Sequence, residues 1–150
     1  MGWCGEELGW WGSRRYAADA LERGERIIGV LNFDMVGFND LRDRLELVTN
    51  PQSRWLVELM CQTNERYDVG VQIDVLEDAS ARLSDHAPFW VRGYDAVLGI
   101  ENYLPTDNTT GGVQRGVYRV NTQYHSVADL PDSINWELVA RVTRLTVGSL

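Results

Sequence analysis

The chain has 150 residues, 44% of them hydrophobic and 10% aromatic, enough to bury the core of one domain and too apolar for a disordered segment. Its formal net charge is −8 and its pI near 4.7, which argues against a phosphate-binding surface and hence against nucleic acid as a partner. No apolar run reaches the length of a membrane span, no leader is expected from the residues around Gly2, and the two cysteines, Cys4 and Cys61, match no zinc-finger spacing.

Near the amino end, MGWCGEELGWWGS sets Glu6 and Glu7 side by side between glycines and tryptophans. Trp10 and Trp11 are expected to bury against a sheet. Ser13 is placed to cap a helix over residues 14–23, with Gly24 available for the left-handed residue that ends it. The apolar run at 27–33 is short and rich in β-branched residues, so it reads as a strand buried on both faces, with Asp34 immediately after it. Residues 45–49 read as another strand, and Asn50-Pro51 as the cap and first-turn proline of a helix. That helix spaces Trp55, Leu56, Leu59, Met60 and Thr63 along one face.

Residues 69–75 alternate as a short strand, and 85–91 form a short helix. AVLGIE at 96–101 is a second buried strand. Residues 102–116 are polar and glycine-containing, a long loop of the kind that is often functional. Within it, Asn108-Thr109-Thr110 fits the glycosylation triplet, a pattern common by chance. A possible strand follows at 117–120. The last element, over 134–145, spaces Ile134, Leu138, Val142 and Leu145 as an amphipathic helix.

Strands alternating with helices predict an α/β domain in three layers, with the sheet in the middle. Such sheets place their sites at the carboxyl ends of the strands. Asp34 ends one buried run, Glu6 and Glu7 precede a helix, and His125 follows the possible strand at 117–120. These groups are therefore expected to gather at one rim of the sheet. Carboxylates plus an imidazole are zinc ligand types, and a free carboxylate beside such a metal can take a proton from bound water. Each part has an ordinary reading too. A Glu-Glu pair is usually solvated surface, Asp34 would serve equally as a turn cap, and a single histidine is more often an ordinary hydrogen-bonded one. Ser84-Asp85-His86 cannot be a serine triad, because sequence neighbours lack the geometry, and a helix cap at Ser84 or Asp85 is the favoured reading.

Five motifs occur in the order of a known family: CGEELGWWGS at 4–13, NFDMVGF at 32–38, SDHAPFW at 84–90, GYDAV at 93–97 and YHSVADL at 124–130. On these the chain resembles the zinc-dependent aminopeptidases and related exopeptidases of metallopeptidase family twenty-eight. The resemblance implies an α/β/α sandwich with a mixed, mostly parallel sheet. It implies Glu6 as the general base, Glu7 and His125 as ligands of one zinc, and Asp34 as a ligand of the second. It places Asp85, His86 and Tyr124 near the cleft, as support for the site or as its wall. The activity implied is hydrolysis of N-terminal peptide bonds, on peptides with a free N-terminus. Members of the family are often secreted, which leaves this chain's localisation open.

The same resemblance marks a departure. Family members carry, well before the glutamate pair, a His-x-Asp motif and a further aspartate that complete both zinc sites, together with early strands of the sheet. Here five residues precede Glu6. Residues 1–150 are accordingly expected to be a carboxyl-terminal portion of a zinc peptidase domain, its N-terminal strands missing and a sheet edge open to self-association. Poor zinc binding and weak or no activity are expected of the chain as it stands. Two alternatives use the same scaffold: a glutaminyl-cyclase-like acyltransferase with a single zinc, and a non-catalytic binding or assembly module.

Overall fold

The computed structural model describes residues 1–38, 44–101, 121 and 123–150. The elements in chain order are α1 (Trp11–Glu22), β1 (Val30–Asp34), β2 (Arg44–Thr49), α2 (Arg54–Arg66), β3 (Gln72–Glu77), α3 (Ala87–Val91), β4 (Ala96–Ile100), a 3-10 turn (Pro131–Ser133) and α4 (Trp136–Gly148). The expected loop at 102–116, its glycosylation triplet and the possible strand at 117–120 lie outside the described residues.

The strands form a sheet in the order β1-β4-β2-β3. β1 runs parallel to β4, with Asp34 opposite Ile100, and β2 runs parallel to β3. Between these pairs, β2 is antiparallel to β4, with Glu46 opposite Ile100. The sheet is therefore mixed and mostly parallel. Residues of the central strands β2 and β4 are all buried.

Strand alternation sends Leu45, Leu47 and Val97 to one face, where they pack with Leu56, Val57 and Met60 of α2 and Leu138, Val142 and Leu145 of α4. The other face carries Val48, Leu98 and Ile100 in one cluster, and Ala96 in a second with Ala17 of α1 and Phe89 of α3. Helices thus cover both sides, an α/β/α arrangement. No helix among the described residues is long and apolar enough to cross a membrane.

Several expectations are corrected. β1 begins at Val30 and is half-buried along its length, because among the described residues β4 is its only strand neighbour. α1 begins at Trp11, so Ser13 lies inside it and is not its cap. The chain folds back instead: Trp11 N–H donates to the Gly5 carbonyl and Gly12 N–H to the Cys4 carbonyl, which satisfies first-turn donors from the backbone. The Ser13 hydroxyl is thereby released for a distant partner. Trp11 is 63% exposed and Trp10 is half-buried with its indole turned to Glu6, so neither is sealed beneath the sheet. Trp55 is partly exposed as well, its indole N–H donating to Asp95 across 2.7 Å. Asn50 does not cap α2: it accepts from Ser53 N–H at 2.8 Å and closes the turn that holds Pro51, while α2 begins at Arg54 with no side-chain cap. Both cysteines are free thiols.

Gly99 of β4 faces Phe33 of β1, its partner in register. A Cβ at residue 99 would lie 2.6 Å from the Phe33 ring. Gly99→Ala is expected to destabilise the fold by about 1–3 kcal/mol through overpacking. Chemical denaturation of the variant against the parent measures this.

Candidate functional site

The loop bearing Glu6 and Glu7 is shaped by its backbone. Gly12 passes so close to Cys4 that a Cβ would sit 2.8 Å from the Cys4 nitrogen. That contact lets residues 4–10 fold over the start of α1. Trp10 closes the loop in the left-handed region, at φ 58°, with its N–H on the Glu6 carbonyl at 2.9 Å.

Glu7 and His125 come together from opposite ends of the sequence. His125 Nε2 lies 2.7 Å from Glu7 Oε1, a contact across 118 residues. Both side chains remain more than half exposed. His125 has φ 56°, and the Tyr124 ring stacks on its imidazole with centroids 3.7 Å apart.

Asp34, at the carboxyl end of β1, accepts from the Ser84 hydroxyl at 2.6 Å, and Ser84 in turn accepts from Asn32 Nδ2 at 3.0 Å. The next residue, Asp85, accepts from the Ser13 hydroxyl of α1. The favoured capping role for Ser84 or Asp85 is therefore corrected: α3 has no side-chain cap, and these two side chains tie β1 and α1 to the α3 entry.

The electrostatics place these groups within reach of one another. Burial pushes the Glu6 carboxyl above its ordinary value, and Asp34, Glu7 and Asp85 add to that rise. A hydrogen bond from the Trp10 indole to Glu6 Oε1, at 3.0 Å, opposes it. Asp85 is raised by burial, with a further push from Asp34, against the Ser13 hydrogen bond. Burial also raises the Tyr124 phenol, and Glu7, Asp34 and Glu6 raise it further.

His86 stands apart. It is fully buried, Nε2 pairs with the Ala81 carbonyl at 2.8 Å, and the ring packs edge-on against Trp90 at 4.5 Å. Nε2 must carry the proton to donate there, and burial holds the imidazole neutral, down to a pKa of about 4. His86 is a packed core histidine, which leaves His125 as the exposed imidazole of the chain.

Glu101, one residue past β4, was not singled out from the sequence. It is 3% exposed, and burial pushes its carboxyl up to about 8, with Asp129 and Asp34 contributing and a Phe38 N–H opposing. Its own N–H donates to the Met35 carbonyl at 3.0 Å, so it grips the turn after Asp34 from both ends. The signal that points to Asp34 was present here too: a carboxylate ending a buried apolar run needs a partner.

The donor types fit zinc. Glu7 and His125 are a carboxylate and an imidazole already in contact, with further carboxylates beside them, an arrangement that a cation would stabilise. Their number falls short: among the described residues, no group of three or more His, Cys, Asp or Glu is arranged to hold a metal ion.

Residues 1–149 match the family model for peptidase family M28. No curated protein sequence matches the chain. Among solved structures, the LapA aminopeptidase of Legionella pneumophila aligns at a TM-score of 0.77 and 22% identity, covering 98% of this chain and 36% of that one. BSAP, a zinc aminopeptidase from Bacillus subtilis, aligns at 0.74 and 24% identity, covering 99% and 34%. A glutaminyl cyclase from an Acidobacteriales bacterium aligns at 0.63 and 20% identity, covering 93% and 44%. The chain thus spans roughly a third of the length of the aminopeptidases it resembles.

Two buried groups give opposite pH signatures. An unfolded histidine titrates near 6.5 and folded His86 near 4, so between these values the unfolded chain binds more protons and stability rises with pH. The contribution is complete above pH 6.5 and lost as acid approaches 4, on the order of 3 kcal/mol in all. The His86→Phe variant should lack this slope in urea titrations from pH 7 to 4. Glu101 behaves inversely: its folded pKa of about 8 against an ordinary 4.5 means stability is lost as pH rises through 8. Glu101→Gln should therefore be more stable than the parent at pH 9, with the difference vanishing near pH 5.

Proposed function

The chain is a member of peptidase family M28, and on that premise we propose that it carries part of the catalytic machinery of a zinc-dependent, aminopeptidase-like exopeptidase. The contact that carries this reading is Glu7 with His125, at 2.7 Å. It joins two of the ligand types a hydrolytic zinc site uses, with Glu6 adjacent in sequence and Asp34 near enough to perturb it.

In this reading Glu7 and His125 would hold one zinc, and Asp34 would serve a second. Zinc held there would supply acidity to a coordinated water and polarisation to a substrate carbonyl. The proton of the attacking water goes to Glu6. Burial raises its carboxyl above the ordinary value, which strengthens it as a proton acceptor for the attacking water. The carboxylates of Asp34 and Glu7 make the rim attractive to the free α-ammonium group of a peptide. Tyr124, stacked on His125, contributes a wall. Ser84 holds Asp34, and Asp85 holds α1 through Ser13. His86 supports this framework from within the core without reaching the pocket.

Zinc sites usually take three or more protein ligands, whereas residues 1–150 offer Glu7 with His125 on one side and Asp34 on the other. The stretch is read as a portion of a larger peptidase domain, with the remaining ligands supplied from outside it. β1 has a single strand neighbour among the described residues, and an open edge of that kind favours pairing with another chain.

Calorimetric titration of the 150-residue polypeptide with zinc should show weak binding, further weakened by His125→Ala; tight stoichiometric binding would contradict the ligand count. In a longer form that hydrolyses an aminoacyl amide, Glu6→Gln should lower kcat by about 10²–10⁴-fold without loss of zinc. A product analysis showing pyroglutamate in place of released amino acid would shift the assignment to the cyclase class. Sedimentation of the polypeptide at high concentration should reveal association; a stable monomer would refute the open-edge reading.

A further inference from the structure

Glu6 and Trp10 are joined twice. The Trp10 N–H donates to the Glu6 carbonyl at 2.9 Å, and the Trp10 indole N–H donates to Glu6 Oε1 at 3.0 Å. Trp10 holds φ 58° and ψ 42°, a conformation that side chains other than glycine adopt only where their surroundings over-determine it. Its backbone is held at both ends, by its own N–H on Glu6 and by the Arg14 N–H, which donates to the Trp10 carbonyl at 2.8 Å. The Ser13 hydroxyl, whose proton goes to Asp85, also lies 3.2 Å from that carbonyl. The indole, half-buried, borders a cavity of about 260 Å³ between α1 and α3, with Arg14, Pro88 and Val91 among its other walls. The neighbouring Trp11 lies largely in solvent.

A free glutamate side chain has three rotatable bonds, and a general base is useful only when one oxygen faces the proton it accepts. The indole engages Oε1, while Oε2 has no hydrogen-bond partner among the described residues. An indole is a rigid donor with no acceptor capacity, so it fixes that oxygen without competing for the proton. We propose that Trp10 is the positioning residue of Glu6: its indole pins one carboxylate oxygen so that the other is presented to the reacting water. This rests on Glu6 being the proton acceptor, and the experiments separate the two ideas.

The hydrogen bond is read without turnover. In ¹⁵N-edited NMR of the chain, the Trp10 indole resonance, assigned by its loss in Trp10→Phe, should move to the position of a solvent-exposed indole in Glu6→Ala and stay put in Glu7→Ala. No movement in Glu6→Ala would overturn the proposal. Trp10→Phe keeps the aromatic bulk and removes the donor, and Trp10→Leu serves if the phenyl variant fails to fold. A crystal structure of either should show Glu6 in a new or multiple conformation; an unchanged conformer would overturn the positioning role. In an active longer form, Trp10→Phe should lower kcat by on the order of ten- to a hundredfold with KM nearly constant, whereas Trp11→Phe leaves both unchanged. A retained kcat in Trp10→Phe rejects positioning and leaves the base assignment intact. An active Glu6→Gln enzyme rejects the base assignment itself.

Discussion

Like-charge crowding at the carboxyl end of β1 is the constraint that the rest of the site answers. Burial raises the Glu6 carboxyl, and Asp34, Glu7 and Asp85, within electrostatic reach, add to that rise. Each carboxylate receives its own donor: Trp10 for Glu6, His125 for Glu7, Ser84 for Asp34 and Ser13 for Asp85. The indole and the two hydroxyls are neutral donors. They orient oxygens and offset desolvation without cancelling charge, so the cluster keeps a net negative potential that a divalent cation or an ammonium group can relieve.

The donors come from distant parts of the chain, and this ties the site to the fold. Ser84 joins the α3 entry to β1, and Asp85 joins the same entry to α1. Beneath them, His86 anchors the entry segment to Ala81 in the core, where burial keeps it neutral. Glu101 holds the turn after Asp34 from the end of β4. The negative rim therefore rests on the core hydrogen bonds of β1, β4 and α1. His86 and Glu101 are held in their uncharged forms at neutral pH, as a low-dielectric surrounding favours.

The architecture was largely legible in the amino-acid pattern. The β-branched run ending at Phe33, the AVLGI run and the spacing of Leu138, Val142 and Leu145 mark a sheet and a packing helix, because period and burial leave a direct imprint on residue type. Less legible was how deeply each element is covered. β1 reads as buried on both faces from its apolar content, yet apolar content does not say how many neighbours a strand has. The turn at the start of α1 was also hidden. Ser13 has the chemistry of a cap, but the backbone of residues 4–12 satisfies those amides first, a competition no local rule displays.

The sequence by itself determined which chemistry the chain can offer: adjacent glutamates, an aspartate at a strand end, two histidines and the family motifs in order. Residue types and their local period are local properties and can be read directly. Only the tertiary structure decided the partners. Glu7 meets His125 across 118 residues, Ser13 leaves its helix end for Asp85, and His86 is withdrawn into the core while His125 is left at the rim. Those choices are made by chain crossings and burial, since a hydrogen bond between segments depends on where the sheet and helices bring them, not on which residues flank them.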